Sequence, residues 1–137
     1  MDVVVDIRVE SPTYGRWSTV TLDDQSRRAI YISEGLGHAF AVLSDTATLI
    51  YLCSTPYTPA VEHTINPLDP AIGITWPTGT LPILSDKDIA APPLDEVARA
   101  GMLPSQRACD LHMARLRQPL RGGEDVASAN GPRDFRL

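Results

Sequence analysis

Cysteine, histidine and positive charge are all scarce in this chain, and each shortage closes a class of function. The two cysteines among 137 residues, Cys53 and Cys109, lie far apart and in no CxxC pattern. They read as reduced thiols of a cytosolic protein, not as a disulfide framework. Only three histidines are present, His38, His63 and His112, so any chemistry that needs an imidazole has few candidates. Lysine and arginine number 12 against 17 acidic residues, for a net charge of -5 and an isoelectric point near 5.0. That balance argues against a nucleic-acid or acidic-membrane surface, since phosphate binding wants a positive field. It leaves room for one phosphate-containing ligand in a local pocket. No apolar run is long enough to span a bilayer, and the opening MDVVVDIRVE has no basic region leading into an apolar core, so no signal peptide is expected.

What is present is ordinary for a soluble domain: 43% hydrophobic and 21% charged residues, in a length suited to one domain with a real core. The first two-thirds reads as β structure. VVVDIRV (3–9) is β-branched and free of glycine and proline, and WSTVTL (17–22) alternates at period two. AIYI (29–32), HAFAVL (38–43) and ATLIYLC (47–53) follow at short intervals, bounded by turn residues. Short strands with frequent turn signals and no intervening helical pattern suggest a sandwich or jelly roll. From residue 54 to 82 the chain holds six of its twelve prolines, which predicts edge strand, turn and loop. PLDEVA (93–98) predicts a short helical turn. PSQRACDLHMARLRQ (104–118) predicts the main helix, with Pro104 in its first turn and Ala108, Leu111 and Met113 or Arg115 as a partial apolar face. Residues 119–137 are poor in large apolar groups and read as a disordered tail.

The stretch ISEGLGHAF (32–40) poses the functional question. A G-x-x-H at a strand start is similar to the second half of a cupin metal site, but such sites need further His and Glu ligands from an earlier strand. Before Asp24 there is no histidine and only one glutamate, Glu10. His38 is therefore expected to line a barrel mouth and to bind no metal. Tyr51 and Tyr57, in ATLIYLCSTPY, read either as amphipathic rim residues or as a proton donor and a stacking platform. Ser85, Asp86, Lys87 and Asp88, in PILSDKD, read as a solvated turn with local hydrogen bonds unless Asp88 has a histidine to orient. Glu62 and His63 are neighbours, so at most one of them faces the interior of a strand. By spacing alone the chain is a soluble β domain with a pocket at one end.

The order of segments says more. VDIRVESPTYGRW, YISEGLGHAFAVLSDTATLIY, NPLDPAIGITWP and PILSDKD occur in sequence. Together they resemble the dTDP-4-dehydrorhamnose 3,5-epimerase family, from about residue 2 to about 117. The CSTPYTPAVEHTINPLDP form and the GMLPSQRACDLHMARLR helix are similar to actinomycete members that make antibiotic sugars. The resemblance implies an all-β, cupin-like jelly roll over residues 1–118, incomplete at its N-terminus and ending in a short C-terminal helix. It implies a cytoplasmic enzyme, a homodimer in the intact family fold. Its substrate would be a dTDP-4-keto-6-deoxyhexose, whose C3 and C5 protons are acidic because their removal gives an enolate on the C4 oxygen. No metal and no redox cofactor is implied; the demands are a base, an opposing acid and positive charge for the enolate.

Carried over by position, the resemblance makes Tyr51 the proton donor and Asp88 the carboxylate that orients the catalytic histidine. It makes His38, Glu62 and Lys87 substrate contacts and Tyr57 the aromatic that stacks on thymine. Two small departures are Ser33, where the family prefers proline, and Ala39, where it prefers glycine. A larger one is that the family's general base, in an RGLH segment, its enolate-stabilising lysine and its diphosphate-binding arginines all precede the VDIR strand at which this chain begins. None of the three histidines matches that base. The expected account is a truncated or late-started reading frame with impaired catalysis; the alternative is a non-catalytic nucleotide-sugar-binding or assembly module. Losing first strands would also expose sheet edges and core.

Overall fold

The computed structural model describes residues 1–77 and 82–118, so the expected tail at 119–137 lies outside the described residues. Three consecutive valines set the centre of the fold. Their branched side chains restrict χ1 and suit a pleated surface, and they form strand β1 (Asp2–Asp6). β1 is the middle strand of a three-stranded antiparallel sheet, between β2 (Trp17–Val20) and β3 (Leu36–Phe40). The register sets Val3 opposite Thr19 and Ala39, and Val4 opposite Ser18 and His38.

Alternation then sorts the strand. Val3 and Val5 turn to one face and pack with Ile72 and Leu94, supported by Ile7, Trp17, Ile65, Ile74 and Trp76. Each fully buried aliphatic side chain there contributes about 1.5–3 kcal/mol. Asp2 and Asp6 turn to the other face, yet both are buried.

Over its described residues the proline-rich segment is turn and loop, with one 3-10 turn at Pro59–Val61. A buried carboxylate helps to tie it down, beside the Asn66 amide, which donates to Pro92 O at 2.9 Å. Asp69 accepts from the amides of Ala71 (2.9 Å) and Leu94 (2.8 Å). Leu94 opens helix α2 (Leu94–Arg99), whose N-cap residue Pro93 provides no side-chain acceptor, so Asp69 caps the helix from a distance. Before it comes α1 (Asp86–Ile89), capped by Ser85.

Helix α3 (Gln106–Leu116) forms where the sequence puts it, with two differences. Its N-cap is Ser105, whose hydroxyl accepts from the Ala108 amide, so Pro104 sits before the cap and not in the first turn. Its buried residue is Cys109, with Met113 half-buried, while Ala108 and Leu111 are exposed. The cause is a two-bond tie to the end of β1's chain: Val9 N donates to Pro104 O (2.9 Å) and Gln106 N to Val9 O (3.0 Å). That tie rotates Cys109 toward the turn at Gly35.

Gly35 is needed there twice over. Its φ is +86°, and a Cβ on it would strike Cys109 Sγ and come within 2.9 Å of Arg8 Cγ. Gly35→Ala is expected to destabilise the fold by about 2–3 kcal/mol, combining left-handed strain with overpacking. Gly15 is the control. Its φ is +75° but nothing lies within 4 Å, so Gly15→Ala should cost about 1 kcal/mol. Urea unfolding of both variants measures the difference; equal losses would contradict a tight turn-to-helix approach.

Two strand expectations are corrected. Residues 29–32 and 47–53 are not strand, and the sheet holds three strands among the described residues. A strand needs a ladder partner. Along 47–53 none lies alongside among the described residues, and Ile50, Tyr51 and Leu52 are 87%, 70% and 99% exposed. The strand expected at 38–43 is shifted: β3 begins at Leu36 and ends at Phe40, which moves His38 from the start of a strand to its middle.

Candidate functional site

Among the described residues β3 pairs with β1 alone, and its residues border two adjoining cavities. The larger, about 660 Å³, runs past His38, Phe40, Leu68, Trp76, Leu84 and Asp88. The smaller, about 390 Å³, adds Leu36, His63, Ile65, Ile74 and Lys87. His38, Ala39, Pro67 and Asp88 belong to both. The walls are mostly apolar, with a few polar groups converging, the usual make-up of a small-molecule site.

Each polar group has a local reason for its place. His38 lies opposite Val4, so it shares a face with Asp2, two residues along β1. Its Nε2 meets Asp2 Oδ2 at 2.8 Å; the His38 side chain is 35% exposed and that of Asp2 5%. Phe40, the next residue on that face, stands with its ring centre 6.4 Å from the imidazole. Lys87 and Asp88 come from the first turn of α1. Ser85 begins that turn, accepting from the Asp88 amide (3.2 Å) while its hydroxyl meets Asp88 Oδ2 at 2.6 Å. An acidic residue at this third helical position suits the positive end of the helix. The expected solvated turn with local hydrogen bonds is thus present, and it also delivers both residues to the cavity wall. Lys87 is the chain's single lysine.

Of the six residues singled out from the sequence, three come together: His38, Lys87 and Asp88. Tyr51, Tyr57 and Glu62 border neither cavity, and the two tyrosines are 70% and 68% exposed. Glu62 accepts instead from the Thr58 amide at 3.2 Å. His63, not Glu62, is the member of that pair on a cavity wall. Asp88 shares the cavity with His38 but is bonded to Ser85. Sequence reasoning missed Asp2, the partner of His38. Its signal was an acidic residue alternating with a β-branched run, which becomes legible only with the strand register. Among the described residues no cluster of three His, Cys, Asp or Glu side chains is set to hold a metal ion, and no helix is long and apolar enough to cross a membrane.

A small antiparallel sheet with a histidine, a lysine and a carboxylate around an apolar trough is the frame of a ligand-binding β domain. The model of one family, dTDP-4-dehydrorhamnose 3,5-epimerase, matches residues 1–96, and the chain belongs to that family. It is 56% identical over 119 residues to the dTDP-4-dehydrorhamnose 3,5-epimerase of Mycolicibacterium smegmatis, covering 87% of this chain and 58% of that one. It is 53% identical over 108 residues to the dTDP-4-dehydro-6-deoxyglucose 3-epimerase of Streptomyces bikiniensis, covering 79% and 55%. Among solved structures it superposes on the Mycobacterium tuberculosis rmlC epimerase with a TM-score of 0.83 at 50% identity, covering 85% of this chain and 59% of that one. It superposes on ChmJ, a 3'-monoepimerase from Streptomyces bikiniensis in complex with dTDP-quinovose, with a TM-score of 0.82, 50% identity and the same two coverages. The chain spans a little over half the length of the curated relatives it matches.

Proposed function

We propose that the β3 trough is the sugar site of a dTDP-4-keto-6-deoxyhexose epimerase, acting at C3, C5 or both. The observation that carries the reading is the convergence of His38, Lys87 and Asp88 on one mostly apolar cavity in a chain of this family. The chemistry asks for three things. A proton must leave carbon next to the C4 ketone, a proton must return on the opposite face, and the enolate oxygen must meet positive charge between those events. Lys87, His38 and His63 place polar groups for substrate contact on the same walls, while none of the three histidines matches the family's general base. Tyr51 is the proposed reprotonating acid. Because it stands 70% exposed on 47–53, the reading requires that segment to approach the trough when substrate is bound. Glu62 and Tyr57, on the neighbouring loop, are the proposed sugar and thymine contacts. Asp88 is proposed to match the carboxylate with which the family orients its catalytic histidine; here its carboxylate meets the Ser85 hydroxyl, and no histidine of this chain matches that base.

The wider reading is that residues 1–118 form part of a cupin-like jelly roll that works as a homodimer in the cytoplasm. Exposed Ile50, Leu52 and Ile83 are the kind of surface that association would cover. No metal or redox cofactor enters the proposed reaction.

The test is exchange of solvent deuterium into C3 and C5 of dTDP-4-keto-6-deoxyglucose, read by proton NMR. Incorporation above the uncatalysed background is expected. Background-level exchange would remove catalysis by this polypeptide and leave the non-catalytic binding module.

A further inference from the structure

His38 has one feature that lining a pocket does not require. Its Nε2 meets Asp2 Oδ2 at 2.8 Å, and that carboxylate is 95% buried while its other oxygen, Oδ1, is also buried and finds no hydrogen-bond partner among the described residues. Stability does not account for such a group. A buried carboxylate with one orphan oxygen is costly to keep, and an apolar residue at the edge of a valine strand would be cheaper. A directional role does account for it. The carboxylate presents an acceptor oxygen to the ring, which favours the tautomer whose Nε2 carries the hydrogen. The strand register makes the contact, because Asp2 and His38 stand diagonally on one face of two paired strands.

We infer that Asp2 is a positioning residue for His38, fixing the ring with Nε2–H toward the sheet and leaving Nδ1 for a ligand in the trough. Nδ1 makes no hydrogen bond among the described residues, and the ring borders both cavities, whose other polar lining residues are Asp88, Lys87, His63, Thr64 and Asn66. The holding of a histidine by a carboxylate behind it recurs wherever the tautomer matters. The ligand-facing role rests on the dTDP-sugar reading above; the tautomer does not.

Two measurements on the full chain test it. Long-range nitrogen–proton NMR of wild type should show His38 protonated at Nε2. In Asp2→Asn, whose amide can donate as well as accept, that tautomer should fall below half occupancy. A wild-type His38 protonated only at Nδ1 would overturn the inference whether or not the variant folds. Second, titration calorimetry with dTDP-quinovose, which has no C4 ketone to react, should show Asp2→Asn and His38→Gln each weakening binding by roughly tenfold, about one hydrogen bond. The double variant should be no weaker than either single one. Multiplying losses, or an Asp2→Asn Kd equal to wild type, would make Asp2 merely structural and overturn the inference. Absence of dTDP-quinovose binding to wild type would sink the sugar-site reading instead, and the ligand-facing half of the inference with it; the nitrogen spectra then decide the tautomer.

Discussion

Asp6→Asn is expected to lower the unfolding free energy by about 3–5 kcal/mol, the cost of breaking a buried ion pair from one side. One carboxylate organises the whole connection from β1 to β2. It accepts from Arg8 Nε at 2.8 Å and Arg8 Nη2 at 2.7 Å, from the hydroxyls of Ser11 and Thr13 at 2.6 Å each, and from the Arg8 amide at 3.1 Å. The backbone closes around the same residue: Asp6 N donates to Arg16 O and Gly15 N donates to Asp6 O. The pair is little exposed, 7% for Asp6 and 19% for Arg8, so solvent screening discounts it only slightly. An asparagine would leave the guanidinium without its charge partner. A loss of that size is a large share of the stability of a typical domain.

The same network sets an acid limb. Arg8 holds the Asp6 carboxyl well below the usual carboxylate range, the two hydroxyls add to this, and burial opposes it. A depressed folded-state pKa means stability that is fully present above the ordinary aspartate value, about 3.9, and is lost as pH falls from there through the folded value. Wild type should therefore lose stability on acidification below about pH 4, and Asp6→Asn should lose less over the same window. Chemical denaturation at several pH values reads both effects. A loss under about 1 kcal/mol, the scale of an exposed pair, or an acid limb unchanged in the variant, would contradict the network's role.

The second large effect concerns Tyr51. Tyr51→Phe is expected to lower formation of epimerised product by about 10²–10⁴-fold, the range for a positioned acid or base. Deuterium exchange at the sugar carbons should persist in part, because proton removal does not need the reprotonating acid. The change should leave stability within about 0.5 kcal/mol, since the side chain is 70% exposed and borders neither cavity. Product analysis beside exchange separates the roles. Equal loss of both would take Tyr51 out of the reprotonation step, and loss of neither would take it out of the chemistry.

What the sequence disclosed follows what each residue could signal alone. The valine run, the period of WSTV, the PLDEVA turn and the PSQRACDLHMARLRQ helix are local signals, and each produced its element. AIYI and ATLIYLC carry strand composition too, but composition does not say whether a ladder partner exists, and these residues have none beside them among the described residues. The helix face was misjudged for a related reason. Which side of α3 is buried depends on the tie between Val9 and Ser105, a contact across 96 positions. In the site, Lys87 and Asp88 were legible through motif order, and His38 as a wall residue. Asp2 was not, because its pairing exists only once β1 and β3 are in register.

The central claim is that the trough beside β3 holds a dTDP-linked sugar. Its most direct measurement is a nitrogen–proton NMR titration of the full chain with dTDP-quinovose. Saturable shifts are expected, concentrated at residues 36–40, 63–66 and 84–88, with His38 and Lys87 among the largest. No saturable shift, or shifts confined to the outer faces of α2 and α3, would contradict it.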